Sequence, residues 1–323
     1  MPQISDGNKI DLQAMAKSLI EGKLVAIPTE TVYGIAADAM NEHAVKRMYE
    51  VKGRPENHPV IVHISKKELL DFWTEEVPAF VNKLINKFWP GPLTIILRRS
   101  KNARDWITGG QNTIGLRMPN HEKTLQLLEE FHYLGGKGLA APSANKFGRV
   151  SPTSSADVLS DLGMELNGSD WVLDGGKSEI GIESTIVDCT KGDLRILRPG
   201  VITKEMITNL CGLEISLTSR KDTISKIRAP GLLDKHYSPR AKVRITGTCQ
   251  PGEGFIAMHQ IPTPKGSTRL ASPRNLEEFA SELYAALRKA DELALRSVAV
   301  VPPEGDGLAE AIRDRIYRAA GSP

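Results

Sequence analysis

Apolar residues recur along this chain at two spacings, and the alternation of strand-like runs with helix-like stripes predicts an α/β protein. Leu12, Met15, Ala16, Leu19 and Ile20 fall on one face of a helix that Asp11 can cap and that ends before Gly22. The run LVAIP (24–28) reads as a buried strand, NEHAVKRMYEVKG (41–53) as a helix opened by Asn41, and PVIVHI (59–64) as a second buried strand. Phe80, Val81, Leu84, Ile85 and Phe88 line one side of a helix stopped by Pro90-Gly91-Pro92. LTIIL and NTIGLRMP follow as strands, the stretch around HEKTLQLLEEFH as a helix, and GLAAPSANKFGRVSPTS as a short strand opening into a loop. Short strands are expected at Trp171–Asp174, Ser184–Asp188 and Leu194–Arg198, and a helix from Thr203 closes this part.

The pattern then lapses. Residues 218–241 are too polar and irregular for core and read as a linker. A smaller unit restarts with strands KVRI, GFIAM and TRLA, a helix whose Asn275 and Glu278 resemble a capping box, strand SVAVVPP, and a last helix from about Leu308. The division is therefore 1–217, 218–241 and 242–323, with a small parallel three-layer sheet in the last unit. A length of 323 residues suits two domains.

Composition narrows the function. A formal charge of +3, with no long basic run, does not argue for nucleic-acid binding. Cys189, Cys211 and Cys249 are scattered and form no CxxC pair, so neither a zinc site nor a disulfide framework is supported, and a reducing compartment fits. The first residues lack a basic start before an apolar core, and no apolar run nears the roughly 20 residues of a membrane helix. A soluble cytoplasmic protein is the expectation.

Two phosphate-loop patterns fail on inspection. GGKS at 175–178 has Trp171 where the P-loop requires its first glycine, and Gly252, Gly254 and Ala257 lead into a strand rather than opening a helix. KGRP is more informative: Lys52 and Arg54 flank Gly53, and Pro55 favours an extended backbone at Arg54. A guanidinium fork beside an ammonium suits an oligophosphate, and equally a solvated basic turn. His63 puts an imidazole on an apolar strand, as a core residue or a catalyst. Arg117, within TIGLRMP, needs an anion from the protein or from a ligand. Ser143, Asn145 and Ser151, like Ser184 and Thr185, can cap turns or hold phosphate oxygens and magnesium-bound water. With no GxSxG elbow and no cysteine near a base, a hydrolase triad is unsupported, and the pocket is one that positions reactants.

Taken in order, PTETVYGIAADA, KGRPENHPVIVHI, FWPGPLTIIL, TIGLRMP, APSANKFGRVSP, GIESTIVD, ILRPG and PGLLDKHYSPRA resemble the YrdC-like threonylcarbamoyl-AMP synthases of the long, two-domain Sua type. The C-terminal unit matches that family's accessory domain only in length, layout and a few residues near GLAEAIRDRIYRAA. The resemblance implies a twisted mixed-sheet domain with a concave active site and a smaller Rossmann-like three-layer domain. It implies a nucleotidyltransferase that joins L-threonine, bicarbonate or carbon dioxide and ATP, with magnesium, into threonylcarbamoyl-AMP and pyrophosphate. The product would supply a transferase complex that modifies the adenosine beside the anticodon of tRNA, and RNA contact is a further expectation. By resemblance Lys52 and Arg54 are catalytic and bind ATP with His58, Thr113, Ser143, Asn145, Ser151, Arg198 and Tyr237, the last from a linker lying across the pocket. Thr31, His63, Arg117, Ala141 and Ser184 would bind threonine. Competing readings are a related carbamoyl-transfer enzyme, disfavoured because its acylphosphatase and zinc-finger modules are lacking, and a non-enzymatic RNA-binding or ribosome-assembly module.

Overall fold

The computed structural model describes residues 1–191, 194–212, 215–217, 228–231 and 236–321. In chain order its elements are β1 (Gln3–Ser5), α1 (Lys9–Ile20), β2 (Val25–Ile27), β3 (Gly34–Asp38), α2 (Glu42–Lys52), β4 (Ile61–His63), α3 (Leu70–Trp73), α4 (Ala79–Phe88), β5 (Leu93–Arg98), α5 (Asp105–Thr108), β6 (Thr113–Arg117), α6 (Glu122–Tyr133) and β7 (Leu139–Ala140). They continue as α7 (Ser155–Leu162), β8 (Trp171–Leu173), β9 (Thr185–Asp188), β10 (Leu194–Arg198), α8 (Lys204–Cys211) and β11 (Ile215–Leu217). The second unit holds β12 (Lys242–Ile245), β13 (Gly254–Ile256), β14 (Thr268–Ala271), α9 (Leu276–Glu292), β15 (Ser297–Val300) and α10 (Leu308–Ala320).

The first unit is one mixed sheet in the order β1-β8-β2-β3-β7-β4-β6-β5-β9-β10-β11. Its runs are apolar on both faces, as the unbroken LVAI and PVIVHI stretches require, and residues such as Leu24, Ala26, Val62, Ile95 and Val187 join a single large core. Because β4 and β6 run parallel while β5 runs antiparallel to β6 and parallel to β9, the ends of β4 and β6 and the starts of β5 and β9 share one edge of the sheet. Polar residues at those ends therefore converge.

The second unit is a parallel sheet, β12-β15-β13-β14. Its helices α9 and α10 pack on the sheet and on each other, and they are the helices of this unit among the described residues. Asn275 caps α9 through the Glu278 amide, while Glu278 in turn accepts from Arg274 N.

Most of the expected linker, 218–227 and 232–235, lies outside the described residues. The part that is described departs from the polar reading: His236, Tyr237 and Ser238 are buried. They are wedged between units, with Ser238 N donating to Gly148 O at 3.0 Å and Ser238 Oγ to Ala319 O at 3.1 Å. Val32, Val150 and Ile182 of the first unit belong to the same core as Tyr237, Phe279, Leu283 and Ile316. Gly181 makes this approach possible: at φ 78° a Cβ there would lie 2.5 Å from Cα of Ser281 on α9. The α9 residue Arg288 then pairs with Asp161 at 2.7 Å and donates to Val150 O.

A core shared across units makes them unfold together. Calorimetry is expected to give a single thermal transition, lowered as a whole by Ile182→Ala at a cost of about 2–5 kcal/mol. Two resolved transitions, with only one shifted, would contradict the shared core.

Candidate active site

The turn leaving β2 is locked by Thr29, whose Oγ1 donates to Val32 O at 2.6 Å and accepts from the amides of Thr31 and Val32 at 3.2 Å. This aims Thr31 at the sheet edge, where its Oγ1 accepts from Arg117 Nη1 at 3.0 Å. Arg117 also donates to Gly91 O at 3.2 Å and forms an ion pair with Glu30 at 2.7 Å, both partners buried. The anion that Arg117 required is thus a protein carboxylate.

His63 is the register partner of Arg117 on parallel β4. Neither of its ring nitrogens has a partner among the described residues. Burial, and then the nearby Arg117 charge, hold its pKa well below the usual histidine range, so the ring is neutral.

Gly53, left-handed at φ 62°, ends α2 and turns the chain so that Lys52 and Arg54 part company. Lys52 is spent on the protein: its Nζ donates to the carbonyls of Ser143 and Asn145, both at 2.5 Å. Arg54 faces the cavity, with Nη2 donating to Pro59 O at 2.7 Å and a buried Nε without a partner among the described residues. Arg198, ending β10, donates through Nε to Ser184 O, through Nη2 to Ser184 Oγ and through Nη1 to Pro230 O, each at 3.1 Å. Ser184 Oγ in turn shares a hydrogen bond of 2.8 Å with Thr94. No carboxylate lies within ion-pairing distance of Arg54 or Arg198 among the described residues.

Of the residues expected from the sequence, Thr31, Arg54, His63, Arg117, Ala141, Ser143, Ser184, Arg198 and Tyr237 line one cavity of about 50 Å3. Five do not. Lys52 lies behind the Ser143–Asn145 loop. Asn145 donates to Lys146 O and Arg149 O, leaving Oδ1 buried and unpartnered among the described residues. Ser151 donates to Glu183 at 2.6 Å. His58 packs edge-on against Phe147. Thr113 lines a small adjoining space, which shares Ile61 and Pro230 with the cavity.

Residues 228–231 close the cavity from above. Gln111 clasps the Arg228 backbone, accepting from N at 2.6 Å and donating to O at 2.9 Å. Gly231 has to be glycine: it sits at φ 82°, and a Cβ would come within 2.2 Å of the Tyr237 hydroxyl.

Sequence reasoning missed Glu183, Glu30 and His236. Glu183 lines the cavity, buried, and accepts from Ser151, Tyr284 and Arg315. Burial pushes its pKa up, but Arg315, Arg198 and the Ser151 hydrogen bond outweigh that and hold it at about 2. Its signal was a charge inside the apolar run GIESTIVD. His236 also lines the cavity, and burial takes its pKa down to about 3.

A mixed sheet beside a cavity lined by two arginines without carboxylate partners among the described residues, with a second α/β unit pressed against it, defines a two-unit α/β protein with a cationic cavity, and its likeness to known proteins says to which class it belongs. Residues 17–200 match the family model Sua5/YciO/YrdC, described as "Telomere recombination", and residues 202–321 match "Threonylcarbamoyl-AMP synthase, C-terminal domain". The chain is 37% identical over 317 residues to the threonylcarbamoyl-AMP synthase of Pyrococcus abyssi, covering 93% of this chain and 91% of that one. It is 36% identical over 332 residues to the Bacillus subtilis synthase, covering 97% and 94%. The crystal structure of P. abyssi Sua5 complexed with L-threonine superposes with a TM-score of 0.88 at 32% identity, covering 99% of this chain and 97% of that one. The chain belongs to the two-domain, Sua5-type threonylcarbamoyl-AMP synthase family.

Two neutral buried histidines set a pH dependence. Their folded pKa values lie below the unfolded value of about 6.5, so the unfolded chain binds more protons below that pH. Their stabilisation is complete above about pH 6.5 and is lost on acidification, at up to about 1.4 kcal/mol per pH unit for each histidine. The melting temperature is expected to fall between about pH 7 and pH 5.5, with a shallower fall in His236→Gln. An unchanged slope in that variant would mean that His236 is not buried neutral.

Proposed function

We propose that this cavity makes L-threonylcarbamoyl-AMP: the threonine amine and bicarbonate give a carbamate with loss of water, and the carbamate oxygen attacks the α-phosphorus of ATP and expels pyrophosphate. The observation that carries the reading is the pair of buried guanidinium groups, Arg54 and Arg198, without carboxylate partners among the described residues and opening on one cavity. Burying a cation without a counter-charge is costly, so a site that keeps two of them suits a polyanion. Arg54 and Arg198, with Ser143, are the phosphate contacts in this reading, and Tyr237 closes over the nucleotide. Lys52 acts through the Ser143–Asn145 loop that it ties down. His58, Thr113, Asn145 and Ser151 belong to the nucleotide side by family likeness.

On the other side, Thr31, Arg117, His63, Ser184 and the Ala141 backbone form the threonine subsite. Arg117 is partly neutralised by Glu30, which suits a zwitterion better than a polyphosphate. The neutral His63 ring can accept a proton from the amine or hold a carboxylate oxygen. The Ser143 hydroxyl, on the cavity wall, is a neutral oxygen fit for water on a magnesium ion arriving with ATP, and the buried Asn145 Oδ1 would join it only if the Ser143–Asn145 loop turned toward the cavity. That ion would offset charge on the triphosphate. Residues 1–217 form the catalytic unit in this reading, 218–241 the connector over the site and 242–323 the accessory unit. The product passes to a tRNA-modifying transferase.

A cavity of about 50 Å3 is far below the roughly 300–1,000 Å3 of small-molecule sites, so ATP enters only when 228–231 lifts. Pyrophosphate release from ATP is expected to need both threonine and bicarbonate. Arg54→Ala should lower kcat/KM for ATP by about 100-fold or more. Release independent of threonine, or wild-type turnover in Arg54→Ala, would overturn the assignment.

A further inference from the structure

The accessory unit reaches the cavity through one carboxylate. Glu183 Oε2 accepts from Arg315 Nε of α10 at 2.8 Å and from the Tyr284 hydroxyl of α9 at 2.9 Å, while Oε1 accepts from Ser151 at 2.6 Å. Arg315 is itself fixed in place, since its Nη2 donates to Pro199 O at 3.0 Å and its Nη1 pairs with Asp314 at 2.6 Å. Both Arg315 and Tyr284 are fully buried, and neither lines the cavity.

The same two side chains grip Tyr237. Its ring stacks on Tyr284 with centroids 5.6 Å apart, and the Arg315 guanidinium lies 5.4 Å from its centroid on the domain side. Tyr237 needs holding, because it is a non-glycine residue at φ 59°, a conformation that costs of order 1 kcal/mol or more.

Glu183 and Arg198 lie on the same cavity wall, flanking Ser184, to whose backbone carbonyl and hydroxyl Arg198 is tied. Released by Arg315, Glu183 would be free to pair directly with Arg198, whose charge already helps to hold its carboxylate ionised. We infer that Arg315, seconded by Tyr284, is a positioning residue that engages the Glu183 carboxylate from the accessory domain, so that Arg198 is left to bind the phosphates of the nucleotide. The accessory domain thereby sets the charge of a cavity it does not line. This rests on the phosphate reading of Arg54 and Arg198.

The test uses the full chain and inorganic pyrophosphate as probe, with affinity read by titration calorimetry. Arg315→Met is expected to weaken pyrophosphate binding by about tenfold or more, because Glu183 then competes for Arg198. Adding Glu183→Gln to it should recover affinity to within about threefold of wild type, a rescue that loss of packing alone would not give. Arg315→Lys keeps the charge and should stay within about threefold of wild type, which preserves the test should Arg315→Met not fold. A double variant no better than Arg315→Met, or a Lys variant as weak as Met, overturns the charge role while leaving the phosphate site standing. Absence of pyrophosphate binding by the wild type overturns the phosphate site, and this inference with it.

Discussion

Glu183 carries its charge while almost wholly buried, and a carboxylate there survives only if the protein supplies its solvation. The supply comes from opposite sides: a serine hydroxyl of the first unit, and a guanidinium and a phenol of the second. Removing the second unit would strip Glu183 of its guanidinium and phenol partners, and removing the first would leave Arg315 with Asp314 as its carboxylate partner. The two units are therefore coupled electrostatically as well as by the apolar contacts of Val32, Val150 and Ile182. Packing alone could hold two domains together. A buried ion pair adds registry, since the Arg315 charge has to meet the Glu183 carboxylate across the boundary.

Seen as a set of charges, the edge of the sheet carries Arg54, Arg117 and Arg198 against Glu30 and Glu183. Glu30 is taken by Arg117 and Glu183 by Arg315, so the surplus falls on Arg54 and Arg198. In the proposed reading, substrate halves of different charge then sort themselves. The side where arginine is already paired and histidine is neutral would accommodate an amino acid whose own charges nearly cancel. The side with the surplus would accommodate a triphosphate, and the place where the two meet is where the carbamate oxygen would approach phosphorus.

Much of this could be read from the chain, and the losses have a common cause. The runs LVAI, PVIVHI and LTIIL became strands as expected, and Thr29 and Thr31 straight after the first and His63 at the end of the second line the cavity, because strand ends are fixed by local pattern. Arg117 announced its need for an anion, but nothing in the spacing says that Glu30, in the turn after another strand, supplies it. Lys52 and Arg54 look equivalent in KGRP. The αL glycine between them sends one inward to backbone carbonyls and the other to the cavity. HYSP reads as polar linker because its burial depends on Tyr284, Arg315 and the end of α10, contacts that span dozens of residues. Hydrophobic pattern reports the environment of an element within its own sheet. It is silent about a surface made by another domain.

The two described parts of the connector are anchored differently, and that difference matters for how the cavity opens. Residues 236–238 are bonded to the end of α10 and to the 148–149 loop, so they move only if the interface moves. Residues 228–231 hang from the first unit by Gln111 and by the Arg198 bond to Pro230 O. The second of these bonds joins a cation to a neutral carbonyl. If Arg198 binds the nucleotide phosphates as proposed, a phosphate oxygen would make a stronger, charge-assisted bond to the same guanidinium and would displace that carbonyl on favourable terms. Had Glu183 been free to pair with Arg198, the incoming anion would have faced a carboxylate instead. On the proposed assignment, holding Glu183 from the far side of the domain boundary would keep residues 228–231 fastened by a bond that the substrate itself could replace.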